Sequence, residues 1–144
     1  MFNIKVERIV HKPIEEVFAA IADHANYGAF PGVKSGQLIE SGEKEPNGLG
    51  ALRRVEVGPF TLFERIVGFQ PPYLMQYKIE KASPIQFEHE IGEVKLVASG
   101  DNTLVTWKSN GHLRFPILGG LLDKIMQKQG ATGFASILKA IEKT

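Results

Sequence analysis

The sequence predicts an α+β fold in which a curved antiparallel sheet of seven strands is covered by one long C-terminal helix. Three observations predict it. From Leu49 to about Leu113, turn signals recur roughly every 10–20 residues, with no helical spacing between them. After that the pattern changes: Leu118, Leu122, Ile125, Met126, Phe134, Ile137, Leu138 and Ile141 fall at helical spacing within residues 117–142. An antiparallel sheet buries one face and such a helix has one apolar stripe, so each is the natural cover for the other. A twisted sheet wrapped around a single helix need not close at both ends, and the gap can hold a ligand. At 144 residues the chain suits a single domain.

The elements follow in order. Residues 2–11 (FNIKVERIVH) alternate loosely and carry β-branched residues, which predicts a first strand. Pro13 opens a helix, and Glu15 and Glu16 suit its positive N-terminal end. Ile14, Val17, Phe18 and Ile21 define the buried face of that helix. DHANYGAFP, residues 23–31, reads as a second short helical turn and a loop. Residues 33–40 form the second strand, and SGEKEPNG is a polar loop. The later strands are punctuated by Gly58-Pro59, Pro71-Pro72, the SPIQ segment and Ser99-Gly100-Asp101-Asn102. Gly130 and Gly133 weaken the middle of the long helix, each by about 1 kcal/mol relative to alanine.

Several function classes are excluded. The 17 basic and 16 acidic residues are interspersed and give a net charge of +1, so the basic stripe of a nucleic-acid binder is missing. Without cysteine there is no disulfide framework, thiol nucleophile or thiolate metal site, and the composition is compatible with the cytoplasm. The N-terminus does not read as a signal peptide, and no apolar run approaches the ~18 residues of a membrane span. Gly48-Leu49-Gly50 resembles the start of a phosphate loop, but Arg53 stands at its sixth position and a strand follows rather than a helix. Asn47-Gly48 is instead expected to supply a turn with positive φ, and Gly50 a close backbone approach or a bulge. GVKSG is not a nucleophile elbow. His11, His24, His89 and His112 show no metal-ligand spacing, and His89 within FEHE is expected to face solvent. No metal and no cofactor is expected.

A tight hairpin at Gly58-Pro59 would set Val57 against Phe60, Val55 against Leu62 and Arg53 against Glu64. The more apolar face then holds Ala51, Arg53, Val55, Val57, Phe60, Leu62, Glu64 and Ile66. Arg53 and Glu64 become a polar pair on the side of the cavity, available either for ligand recognition or as a structural cross-strand pair. A register one residue off would put both in water. Met75, Tyr77 and Ile79 extend this face past the Pro-Pro turn, and Val94 and Leu96 pair with Val105 and Trp107. Trp107, the only tryptophan, is core or cavity wall. The Tyr77 hydroxyl orients a ligand or reaches solvent.

The segments DHANYGAFPGVKSGQLIESGE, GLGALRRVEV, FERIVGFQPPYLMQYKIE and GEVKLVASGDNTLVTW resemble the START-like superfamily. More narrowly, they are similar to its polyketide cyclase/dehydrase and lipid-transport family, over nearly the whole chain. The resemblance implies a helix-grip fold with an internal apolar cavity. It spans lipid carriers, hormone receptors, aromatic cyclases, ring-hydroxylase subunits and co-chaperone-like proteins, so it leaves the chemistry open. Phe30 stands where that family commonly has a tryptophan.

The candidate cavity set is Arg53, Val55, Leu62, Glu64, Ile66, Met75, Tyr77, Val94, Trp107, Leu122, Met126 and Phe134, with Phe30, Phe115 and Leu118 at the mouth. The leading expectation is a carrier of an apolar small molecule, a lipid or an aromatic metabolite, with no nucleic-acid partner and no stable membrane insertion. A polyketide cyclase or dehydratase is the second, with Arg53 stabilising an enolate and Glu64 or Tyr77 moving protons. An interaction module with a filled cavity is the third.

Overall fold

The computed structural model describes residues 1–144. Strand β1 (Phe2–Val10) leads to helix α1 (Ile14–Ile21), and Pro13 occupies the N-cap. The buried face of α1 is Ile14, Val17, Phe18 and Ile21, the four residues its spacing predicted. A 3₁₀ turn (His24–Ala29) follows, then β2 (Val33–Glu40), β3 (Leu52–Val57), β4 (Phe60–Gln70), β5 (Leu74–Ser83), β6 (Phe87–Ser99), β7 (Asn102–Leu113) and helix α2 (Gly119–Glu142). The seven strands form one antiparallel sheet in the order β1-β7-β6-β5-β4-β3-β2. Strands β2 to β7 run as a meander, and β1 returns to pair with β7. The result is an α+β helix-grip fold, as the sequence predicted.

The β3–β4 hairpin has the predicted register, with Arg53 opposite Glu64, Val55 opposite Leu62 and Val57 opposite Phe60. Gly58 supplies the positive φ of its turn, at 54°. At the opening of β3 the two glycines exchange their expected roles. Gly50 takes the positive φ of 89°, while a Cβ on Gly48 would lie 2.6 Å from the Glu45 side chain.

The sheet and α2 do not meet evenly. The main core joins α1, the inner faces of the strands and the last turns of α2, through Ile137, Leu138 and Ile141. Toward its N-terminus α2 stands away from the sheet. Leu118, Leu121 and Ile125 are exposed, and Ile117 is 90% accessible, so the predicted stripe is not buried at Leu118 or Ile125. Leu122 and Met126 face inward to a smaller cluster around Phe2, Ile4 and Leu113. Asp123 fastens this end: its carboxylate accepts the Leu113 backbone N–H at 2.8 Å and lies 3.2 Å from His112 Nδ1. Gly130 lets the helix pass close over β1, because a Cβ there would come within 2.4 Å of Ile4 Cδ1.

Candidate functional site

A cavity of about 200 Å³ lies between the inner face of the sheet and the middle of α2, and it opens to solvent. Its position follows from the uneven packing of the helix. On the helical side it is lined by Met126, Gln129, Gly130, Gly133, Phe134 and Ile137. Of the two glycines that weaken α2, Gly130 is in close contact with Ile4, whereas Gly133 faces open space with nothing within 4 Å of a Cβ placed there. The exposed lining residues Pro31, Gly32, Val57, Gly58, Pro59 and Gln129 mark the rim.

At the inner end lies Arg53, only 1% exposed. Its Nε donates to Glu64 Oε1 at 2.8 Å, and its Nη1 lies 3.3 Å from His24 Nδ1. Since arginine can only donate, Nδ1 of His24 must accept, and the ring proton sits on Nε2, which donates to the Asn47 carbonyl at 2.9 Å. The guanidinium also lies between two aromatic faces, 4.5 Å from the Tyr27 ring centre and 5.0 Å from that of Tyr77. Burial by itself would lower the arginine pKa; Tyr27, Glu64 and Tyr77 outweigh it and hold Arg53 protonated. Burial, reinforced by Arg53, pushes His24 down to about 3, so this imidazole is neutral at physiological pH.

The wall opposite is aromatic. Trp107 stacks on Phe134 with centroids 4.2 Å apart and donates its indole N–H to the Tyr77 hydroxyl at 2.9 Å. Burial, with Glu64 next, pushes the Tyr77 phenol well above its ordinary range, so it remains an O–H donor. The Tyr77 ring lies flat across Gly92, its partner on β6: a Cβ there would fall 2.2 Å from Tyr77 Cζ.

His89 is buried, a correction to its expected place in solvent. Counting alternately back from Val94 puts His89 outside, but a bulge between His89 and Ile91 inverts the phase of β6. The β5–β6 ladder stops at the Tyr77–Gly92 pair, and beyond it the His89 ring takes over. Its Nδ1 accepts the Ile79 backbone N–H at 3.0 Å, and its Nε2 lies 2.7 Å from Ser109 Oγ. Burial, with Lys78 secondary, holds His89 down to about 4.

Of the residues singled out from sequence, Arg53, Val55, Leu62, Glu64, Tyr77, Trp107, Met126 and Phe134 line this cavity. Ile66, Met75 and Val94 share the inner face but lie in the main core, where the last turns of α2 close against the sheet. Leu122 packs in the small cluster instead. Phe30, Phe115 and Leu118 do not line the cavity. Phe30 packs edge-on against Tyr27 at 5.0 Å, whereas Phe115 and Leu118 are exposed before α2 begins. The rim lies one residue beyond Phe30 and at the middle of the helix, beside Gly130 and Gly133. Tyr27, His24, His89 and Ser109 are not among the residues that sequence reasoning placed at the site. The bulge brings in His89 and the packing of the 3₁₀ turn brings in Tyr27 and His24, neither with a local sequence signal, whereas Ser109 follows from the alternation of β7 two residues past Trp107.

The chain belongs to the polyketide cyclase/dehydrase and lipid-transport family, whose model matches residues 1–144. The helix grip and the family together support a hydrophobic-ligand-binding or cyclase-type protein. Solved structures share the fold at low identity. One is a START superfamily protein from Mycobacterium smegmatis, at TM-score 0.81 and 11% identity, covering 99% of both chains. Another, from Thermus thermophilus, gives 0.77 and 19%, covering 98% of this chain and 94% of that one. The Zhui aromatase/cyclase from Streptomyces sp. R1128 gives 0.75 and 16%, covering 98% and 93%. No curated protein matches the chain in sequence. No helix is long and apolar enough to cross a membrane.

Proposed function

We propose that this protein binds and carries an apolar small molecule, a lipid or an aromatic polyketide-like metabolite, in the cavity beneath α2. The observation that carries the reading is an open cavity in which 15 of 25 lining residues are hydrophobic and whose one cation is already paired. Burial of apolar ligand surface supplies the driving force, at ~25 cal/mol per Å² before the costs of association. The Arg53–Glu64–His24 cluster holds the inner end of the site and gives it a fixed polar reference. The openness of the cavity weighs against the filled interaction module. We place the protein in the cytoplasm, with which a cysteine-free chain is compatible, and assign it no nucleic-acid partner.

A cyclase or dehydratase is the second reading, favoured by one observation: Arg53, Glu64 and Tyr77 face the same cavity. Against it, Arg53 is held by Glu64 and His24 rather than free for an enolate, and the aromatase/cyclase likeness at 16% identity speaks to fold alone.

Native mass spectrometry of the purified protein tests the carrier reading. A co-purified apolar adduct, lost on gentle activation and accompanied by a lower Tm after delipidation, is the expected result. Absence of any adduct, together with no thermal shift across a lipid and aromatic panel, would remove the reading.

A further inference from the structure

Two hydroxyl groups in the cavity wall have their hydrogen bonds constrained from behind. Tyr77 Oη accepts the indole N–H of Trp107, a group that can only donate. Ser109 Oγ is in the same position. Because Nδ1 of the neutral His89 accepts the Ile79 backbone N–H, its proton is on Nε2 and is directed at Ser109. Each hydroxyl therefore retains its own proton, and neither proton has an acceptor within the protein. Both residues line the cavity and both are deeply buried, Tyr77 at 2% exposed and Ser109 at 5%. They also share one rung of the sheet. Tyr77, Gly92 and Ser109 are successive partners across β5, β6 and β7. With no side chain at Gly92, the tyrosine ring extends over β6 toward β7, where Trp107 meets its hydroxyl. A buried donor without a partner is unfavourable until something accepts its proton.

The charge around them narrows the acceptor. The cavity lining contains one cation, Arg53, and one anion, Glu64, in contact at 2.8 Å. His24 and His89 behind it are neutral. An anionic ligand would lose its hydration and find no net positive charge in return.

We propose that Tyr77 and Ser109 form a two-donor subsite for an uncharged carbonyl oxygen, so that the ligand is an apolar ketone, quinone or ester rather than a fatty acid or a hydrocarbon. This rests on the carrier reading and sharpens it. Trp107 and His89 act behind the subsite as positioning residues, holding each hydroxyl so that its proton points into the cavity.

The test uses three probes of one shape: fluorene, 9-fluorenone and fluorene-9-carboxylate. Binding is read from the emission of Trp107, the only tryptophan. Wild type should favour fluorenone over fluorene by about tenfold, from two net hydrogen bonds of ordinary strength. Tyr77→Phe and Ser109→Ala should each reduce that preference to about threefold, and the double variant should abolish it. The infrared carbonyl stretch of fluorenone bound to wild type needs no variant, and it should lie below its position in hexane. Equal affinity for fluorene and fluorenone with an unshifted stretch would overturn the donor pair and leave the carrier reading standing. Tighter binding of the carboxylate would overturn the uncharged acceptor. No binding by any of the three would overturn subsite and carrier reading together.

Discussion

The two ends of helix α2 sit on the same sheet and do opposite things. The C-terminal turns press Ile137, Leu138 and Ile141 into a core of 20 buried residues. The N-terminal half leaves Leu121 and Ile125 exposed and covers only a small cluster and the cavity. The difference traces to side-chain volume. Gly130 and Gly133 line the cavity at the midpoint, and the apolar stripe makes full contact only beyond them. The fold is held at the C-terminal turns of the helix, and space is kept open beneath its middle without loosening that part.

The Arg53 layer closes the inner end of the cavity, and breaking it should have the largest effect. Arg53→Ala strands Glu64 as a buried charge and should lower stability by about 3–5 kcal/mol in urea titrations. The double variant Arg53→Met with Glu64→Leu should recover most of that loss, because it removes both charges and keeps volume. A double variant as unstable as the single one would mean the layer holds the fold by geometry rather than by charge.

Truncation along α2 sharpens the contrast directly. Leu138→Ala should cost about 2–5 kcal/mol, and Ile125→Ser should stay within about 0.5 kcal/mol of wild type. Comparable losses at the two positions would contradict the division of the helix.

Acid should then act through the two buried neutral histidines. His24 and His89 have folded pKa values of about 3 and about 4, below the ordinary 6.5. The unfolded chain binds more protons across that window, so stability rises with pH and is lost as pH falls below about 6.5. His89 alone should account for roughly 3 kcal/mol by about pH 4, since each tenfold change in proton affinity corresponds to about 1.4 kcal/mol. His89→Gln keeps an acceptor and a donor without a titrating proton, so its urea midpoint should fall less steeply between pH 7 and pH 4.5. An unchanged slope in that variant would remove His89 from the account.

Much of this was legible in the residues. Alternation and turn chemistry placed the β3–β4 register, because Gly58-Pro59 permits one tight hairpin and a one-residue slip would have put Val55 and Leu62 in water. Helical spacing located α2 and its core face from Ile137 onward. The mouth was misplaced because spacing marks apolar residues without saying how far the helix stands from the sheet. Leu118 and Ile125 continue the stripe in sequence but not in space. His89 was misread because alternation carries no record of a bulge, and one inserted residue exchanges inside for outside. Tyr27 and His24 sit on a 3₁₀ turn, where neither period 2 nor period 3.6 applies.

Gly92 has a consequence for how such a binding site diversifies. Its missing side chain is what lets the Tyr77 ring lie across β6. One methyl group at that position would lift the ring and carry its hydroxyl away from Trp107 and Ser109, with every cavity-lining residue unchanged in identity. Under the proposed carrier function, ligand preference is therefore adjustable from the floor beneath an aromatic ring. Two chains with identical pocket residues could select different molecules because one atom differs in the layer below.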